Sequence, residues 1–236
     1  LIEDENGGLV DWLEDIDDKF MPPLIRKNGG NGVKVVLLGR SEEEDTFLNP
    51  DAQMPSRWIE FNLNNRYYKI PENVKISARR IDGEKIPSAK LGLVKGIEKR
   101  LSRHSEDKGT VDLSDGKLHW MLLNEPEVRH KFTDFDSGAQ SGVVFHNEIY
   151  EKQNKMGHRS RMASKFGLMF AHNRVAIFVE PDIKDLDTDL VRKRLVMPNH
   201  DNLPWARWGW EFREDMPEAI RIIESELNDK AQKGND

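Results

Sequence analysis

Residues 110–123 have the sequence TVDLSDGKLHWMLL, in which Asp115-Gly116 separates two segments rich in apolar residues. Asp-Gly is a strong signal for a tight β-hairpin turn, because glycine adopts positive φ at no steric cost. The stretch therefore predicts a hairpin with strands at 110–113 and 117–123.

The residues after this hairpin predict more strands and then helices. Apolar runs predict a strand at 143–150 and two strands within 166–179, with a turn at His172-Asn173. A helix is predicted near 187–197, followed by a tryptophan-rich loop and a last helix from Pro217 to about Lys230. Clustered strands followed by helices are typical of the α+β class rather than of repeated βαβ units.

The residues before the hairpin predict a second region of mixed structure. Its predicted elements are a helix at 9–20, a glycine-rich turn at 28–32, a buried strand at 33–39, a helix from Pro55 and a strand at 74–78. Asp82-Gly83 is another turn signal. We place a domain boundary there, which gives domains at 1–82 and 83–236, and predict a helix at 90–103.

The composition restricts the class of protein. The 236 residues carry a net charge of -6 and include no cysteine, which excludes disulfides, thiolate zinc sites and a cysteine nucleophile. No apolar run approaches the about 20 residues that a transmembrane helix needs, and the acidic first residues do not resemble a signal peptide. We therefore expect a cytoplasmic protein without a membrane partner. Because the first residue is not methionine, we also expect a chain that begins in mid-protein.

Three stretches, in order along the chain, resemble one family. Residues 32–38, GVKVVLL, resemble the strand that follows the nucleotide lid in the gyrase, heat-shock chaperone, histidine kinase and mismatch-repair (GHKL) ATPases. Residues 166–181 resemble a hairpin of the transducer domain of these proteins, and DNLPW at 201–205 resembles the chaperone segment before its catalytic-loop arginine.

The resemblance implies the end of a GHKL α/β sandwich followed by a ribosomal-protein-like α+β transducer domain. It implies ATP and Mg²⁺ in the full-length protein, none of it bound tightly to this chain, and a protein client or second subunit as partner. The family's helix with the catalytic glutamate and Mg²⁺-binding asparagine, and its Asp-x-Gly-x-Gly motif, are not recognisable before Gly32. The family's usual threonine is Val33 here, which cannot hydrogen-bond through its side chain.

The resemblance makes Gly30, Gly32 and Val33 candidate nucleotide-binding residues. Glycine allows close backbone approach to a ligand and positive φ, so the cluster would suit the end of a lid over phosphates. A flexible loop between a helix and a strand explains the same glycines, and the spacing does not match a P-loop.

A basic stretch at 152–165 offers a second candidate site. Arg159, Arg161 and Lys165 would contact the phosphates of a nucleotide or of a nucleic acid, because guanidinium groups match phosphate oxygens. A solvated loop between strands explains the same charges.

Arg207 is the third candidate. It follows Leu203-Pro204 as an arginine does in the related chaperone segment, and the resemblance implies that it senses the terminal phosphate, with Arg213 as a substitute. Positive charge at that place stabilises the transferred phosphoryl group. In the alternative, the neighbouring tryptophans belong to a core or an interface, and Arg207 stacks on one of them.

The favoured function is therefore a fragment of an ATP-dependent conformational switch that is inactive alone. The alternative is a non-enzymatic module that binds nucleic acid or protein through 152–165. The histidines predict neither a metal site nor a His-Asn nuclease, because none has a partner at ligand spacing.

Overall fold

The structure, a computed structural model, describes residues 2–3, 9–10, 58–78, 92–125, 139–153, 156–190 and 194–233. For the first two ranges, for Trp58, for Ala78 and for 156–160, only the backbone is described. The chain divides into two units, Leu1–Phe47 and Leu48–Asp236. The predicted boundary at Asp82-Gly83 lies outside the described residues and stays a prediction.

In the first unit, the described elements are two short strands, β1 (Ile2–Glu3) and β2 (Leu9–Val10), which pair antiparallel. The predicted helix at 9–20 is therefore wrong at its start, since Leu9 and Val10 are in a strand, and the rest of it lies outside the described residues. The predicted strand at 33–39 lies outside them as well.

The second unit is built on a five-stranded mixed sheet. Its strands are β5 (Ser105–Leu113), β6 (Gly116–Leu123), β7 (Ser141–Phe145), β8 (Glu148–Gln153) and β9 (Val175–Pro181), in the order β5-β6-β9-β7-β8. The β7–β9 pair is parallel and the other neighbours are antiparallel. The hairpin predicted at 110–123 is confirmed, with Leu113 opposite Gly116.

Five helices accompany this sheet in the described part of the chain. They are α1 (Trp58–Arg66), α2 (Ile97–Leu101), α3 (Met156–Lys165), α4 (Trp205–Glu214) and α5 (Glu218–Lys233). Two short antiparallel pairs complete the unit: β3 (Ile76–Ala78) with β4 (Gly92–Val94), and β10 (Asp187–Thr188) with β11 (Leu195–Val196). The helix expected from Pro55 and the last helix are confirmed in the described residues, and the strand predicted at 74–78 is confirmed for its last three residues, 76–78.

Both faces of the sheet are covered, because alternate residues of β6 and β9 are apolar on each side. Leu118, Trp120 and Ile177 face one core with Phe166 after α3, Trp208 and Phe212 of α4, and Ile220 of α5. Met121, Ala176 and Phe178 face the other core with Tyr68 and with Ile97 and Leu101 of α2. The predicted α+β class is thus confirmed as a mixed sheet with helices on both sides. No helix in the described ranges is both long and apolar enough to cross a membrane.

The single strand predicted at 143–150 is wrong, because the chain turns back at His146-Asn147. Both residues have positive φ, 49° and 65°, which is the geometry of a two-residue hairpin turn without glycine. Two strands, β7 and β8, therefore occupy this stretch.

Of the two strands predicted within 166–179, the second is confirmed as β9, and the first is wrong. Helix α3 ends at Lys165, and Gly167 follows with φ of 78°. The Gly167 amide donates to the Ser164 carbonyl and the Leu168 amide to the Ala163 carbonyl, which is the hydrogen-bond pattern of a glycine-terminated helix. Phe166 and Leu168 are apolar because this helix end is buried.

Three further predictions are corrected by the local backbone. The predicted helix at 187–197 is replaced by the β10 and β11 pair at its two ends. The tryptophan-rich segment is helix α4 rather than a loop, since Trp205, Trp208 and Phe212 recur at helical spacing on its buried side. In the range 90–103, Gly96 has φ of 81° and separates β4 from the short α2.

Candidate functional site

The nucleotide-binding residues predicted in the first unit cannot be located. Gly30, Gly32 and Val33 lie outside the described residues. They remain a prediction from the resemblance.

The described part of the basic stretch at 152–165 is not the predicted loop. It consists of the end of strand β8, up to Gln153, and of helix α3 (Met156–Lys165). Arg161 and Lys165 are exposed one turn apart on α3, and Arg159 belongs to the same helix with only its backbone described. Lys152 lies on β8, where its Nζ donates to the Asn65 side chain of α1 at 3.0 Å.

Arg207 lies on α4 and contacts the turn between β5 and β6. Its guanidinium pairs with the carboxylate of Asp115, and its Nε is 3.8 Å from Glu211 one turn later. The neighbouring Trp208 donates its indole N–H to the other oxygen of Asp115 at 2.7 Å. The Arg207 side chain is 49% exposed, while Trp208 is buried in the core.

Glu211 completes this contact, which we call the turn–helix junction (Ser114, Asp115, Arg207, Trp208 and Glu211). Its carboxylate accepts a hydrogen bond from the Ser114 amide at 2.8 Å and another from the Ser114 hydroxyl at 2.7 Å. Burial acts to raise the pKa of Glu211, but the bonds from Ser114 and the charge of Arg207 outweigh it, so the pKa lies below its usual value. The carboxylate is therefore ionised at neutral pH.

The turn–helix junction contains two kinds of contact: hydrogen bonds donated by Trp208 and Ser114, and an ion pair made by Arg207. Trp208 and Ser114 connect the hairpin turn to α4 through one part-buried and two exposed hydrogen bonds, whereas Arg207 keeps half of its surface in solvent. An exposed ion pair typically contributes only about 0–1 kcal/mol. The Arg207–Asp115 pair therefore contributes little to the stability of the turn.

A second contact places α3 against another side of α4. A Cβ added to Gly209 would lie 2.3 Å from the Lys165 carbonyl oxygen, so the two backbones pack as closely as glycine permits. Arg213 donates from its guanidinium to the same carbonyl at 2.8 Å, at the end of α3. The structure thus brings Lys165 and Arg213 together, while Arg207 faces the hairpin turn.

Sequence reasoning missed a row of polar side chains across the sheet. His119 Nε2 is 2.8 Å from Glu180 Oε2, and His119 Nδ1 is 3.3 Å from Thr110 Oγ1. The Tyr68 ring lies beside His119, and burial, followed by the charges of Glu98 and Glu180, raises the pKa of Tyr68 above its usual value. The predicted hairpin could have indicated part of this row, because its register places Thr110 opposite His119.

The row consists of two side-chain hydrogen bonds of His119 and a ring contact between His119 and Tyr68. Neighbouring backbone amides belong to the β5–β6–β9 ladder, so they are committed to strand pairing instead of an oxyanion. In the described ranges, no group of three or more His, Asp or Glu side chains is placed to hold a metal ion.

Comparisons with known proteins assign no family to this chain. No protein-family model, no curated protein and no solved structure matches this chain.

Proposed function

We propose that this chain is part of an ATP-dependent conformational switch of the GHKL class, in which Arg207 senses the terminal phosphate of the bound nucleotide. The observation that carries the proposal is the state of Arg207, half exposed and paired with a surface carboxylate between a helix and a hairpin turn. The order of the stretches that resemble the family also supports it.

In the proposed sensing step, the terminal phosphate competes with Asp115 for the guanidinium of Arg207. A terminal phosphate carries more negative charge than Asp115 and accepts two parallel hydrogen bonds from arginine. Arg207 would turn from Asp115 to the phosphate, while Asp115 keeps its bond from Trp208. The guanidinium would then neutralise charge as it develops on the transferred group.

The proposed signal from the nucleotide to the hairpin arises because Asp115 and Glu211 lose their contacts with the guanidinium when Arg207 turns away. Both carboxylates then keep their negative charges without the arginine between them. Their repulsion would loosen the β5–β6 turn from α4 while the hydrogen bonds of Ser114 and Trp208 remain. Nucleotide state would in this way reach the hairpin and, through it, a protein client or a second subunit.

ATP and Mg²⁺ fit this chain only in part. Arg207 suits the terminal phosphate, but no carboxylate or histidine cluster in the described part of the chain suits Mg²⁺. Residues outside that described part would have to hold the metal, so the role proposed for the described residues is confined to sensing and neutralising charge.

The test is the substitution Arg207→Ala in the intact protein, with ATP turnover and melting temperature measured together. Arginine fingers contribute about 10³-fold or more to turnover, and we expect a loss of that order with near-native melting. Arg207→Lys should recover only part of the rate, because an ammonium group lacks the planar fork of two parallel N–H donors that matches two phosphate oxygens. Arg221→Ala, on the exposed side of α5, is the matched control and should leave turnover unchanged.

Two results would oppose the proposal. Unchanged turnover in Arg207→Ala at saturating ATP would remove Arg207 from the mechanism. An equal melting loss in Arg207→Ala and in Asp115→Asn, with no change in rate, would assign the ion pair to stability alone.

A non-enzymatic binding module is the second candidate function. The observation in its favour is the exposure of Arg161 and Lys165 on a helix, where their spacing is constant. A rigid basic helix presents its charges to phosphates at lower entropic cost than a loop does.

A further inference from the structure

Trp210 is an exposed aromatic side chain with an arginine one turn away in each direction. Its side chain is 56% exposed, the largest apolar group left in solvent among the described residues. Arg207 and Arg213 lie three residues before and three residues after it on α4, and both are exposed. Residues three apart on a helix are neighbours, about 5–6 Å between Cβ atoms. Arg213 therefore places positive charge beside the indole, whereas the charge of Arg207 is shared with Asp115 and Glu211.

The close packing of α3 extends this surface. Arg213 bonds to the Lys165 carbonyl, and Gly209 lies against the same peptide, so the end of α3 adjoins the exposed side of α4. Lys165 and Arg161 are exposed on α3. We call Trp210, Arg213, Lys165 and Arg161 the α3–α4 surface.

We propose that the α3–α4 surface binds single-stranded nucleic acid, with a base stacked on Trp210 and the adjoining phosphates on Arg213, Lys165 and Arg161. An exposed indole stacks on any base, and cations beside it follow the sugar–phosphate backbone. The proposal is independent of ATP sensing, because Arg207 shares its charge with Asp115 and Glu211.

Single strands suit this surface better than duplexes do. The bases of a duplex are already stacked on one another, so an exposed indole gains nothing from them without unstacking the helix. The surface also carries Glu214, exposed one turn after Trp210. Its carboxylate opposes a phosphate backbone and predicts moderate, salt-sensitive binding.

The experiment titrates the 236-residue chain against fluorescein-labelled dT₂₀ at low salt and measures fluorescence anisotropy. Stacking of one base is worth about 1–3 kcal/mol, so Trp210→Ala should weaken binding between about fivefold and 150-fold. Trp210→Phe should keep most of the affinity, because a phenyl ring still stacks. Ile222→Ala, another exposed apolar residue on a different helix, is the matched control and should bind like the native chain.

Charge variants test the phosphate contacts separately. Lys165→Ala and Arg161→Ala should each weaken binding and lower the salt dependence of log K by about 0.7. Glu214→Gln should strengthen binding, since it removes a negative charge beside the strand. Melting temperatures of all variants should stay near that of the native chain, because the substituted side chains are exposed.

Four outcomes would overturn the proposal. They are native affinity in Trp210→Ala, equal binding of a 20-base-pair duplex that is insensitive to Trp210, no binding of dT₂₀ at low salt, and a self-association that Trp210→Ala abolishes in the absence of nucleic acid. The last result would assign the surface to a second copy of this chain. None of these depends on ATP, so the result is separable from the test of Arg207.

Discussion

Asp115 lies in a hairpin turn, and its side chain contacts helix α4. As a turn residue it needs only to precede Gly116, and any Asp-Gly pair satisfies that need. Its carboxylate, however, accepts from Trp208 and pairs with Arg207. One side chain therefore fixes the end of the hairpin on the helix, and the arginine that contacts it is left half in solvent.

Glu211 makes the turn–helix junction sensitive to acid. Its folded pKa is lowered, so the stability it adds is present above its unfolded pKa, 4.5, and is lost as the pH falls through the folded value. We expect Glu211→Gln to unfold more easily than the native chain at pH 7, by about 1 kcal/mol, because the bonds from Ser114 lose their charge assistance. The difference should shrink below about pH 4.5.

Urea unfolding at several pH values measures this effect. Glu218→Gln, an exposed carboxylate on α5, is the control and should unfold like the native chain across the range. A stability gap between Glu211→Gln and the native chain that is the same at pH 7 and pH 3 would contradict the assignment to the ionised carboxylate.

At the scale of elements, helix α4 has three different sides in contact with three partners. Trp208 and Phe212 face the core, Arg207 and Glu211 face the hairpin turn, and Gly209 faces α3. Only the side with Trp210 is left to solvent. The helix is thus held on most of its circumference, which makes the exposed side rigid.

Gly209 sets the distance between α3 and α4. Alanine is the better helix former by about 1 kcal/mol, yet its Cβ would lie 2.3 Å from the Lys165 carbonyl oxygen and 2.8 Å from the carbonyl carbon. Backbone atoms cannot rotate away as a side chain can. Overpacking of this kind costs about 1–3 kcal/mol, so we expect Gly209→Ala to lower the melting temperature.

The reverse substitution provides the reference for Gly209. Ala206→Gly, on the exposed side of the same helix, should cost only the propensity difference of about 1 kcal/mol. A Gly209→Ala variant that melts above the native chain would show that the helices separate without loss. It would then contradict the close packing.

At the scale of the whole molecule, the second unit builds its described part around one five-stranded sheet, and the proposed function assigns to it a single phosphate-sensing residue, Arg207. The resemblance places the catalytic glutamate and the Mg²⁺-binding asparagine before Gly32, where no such residues are recognisable. We therefore expect the purified 236-residue chain to release no phosphate from ATP in a steady-state assay. Turnover that survives repurification and depends on a residue of this chain would contradict this expectation.

Local signals in the sequence were sufficient for some elements of the fold and insufficient for others. The hairpin at Asp115-Gly116 and the last helix after Pro217 were predicted correctly, because a turn and a helix start depend on a few adjacent residues. The turn at His146-Asn147 was missed, since residues other than glycine adopt positive φ there only in context. The stretch at 166–170 was taken for a strand, because burial makes a helix end and a strand equally apolar.

The candidate sites show the same division between local pattern and tertiary contact. The sequence by itself determined the charges of Arg161, Lys165 and Arg207 and the lack of a cysteine or a membrane-length apolar run. Only the tertiary structure decided that Arg207 meets Asp115, which lies 92 positions away in the chain, and that Lys165 adjoins Arg213. The physical reason is that these contacts arise when two helices and a hairpin pack on one sheet face, and no spacing within a segment encodes which distant segment will pack beside it.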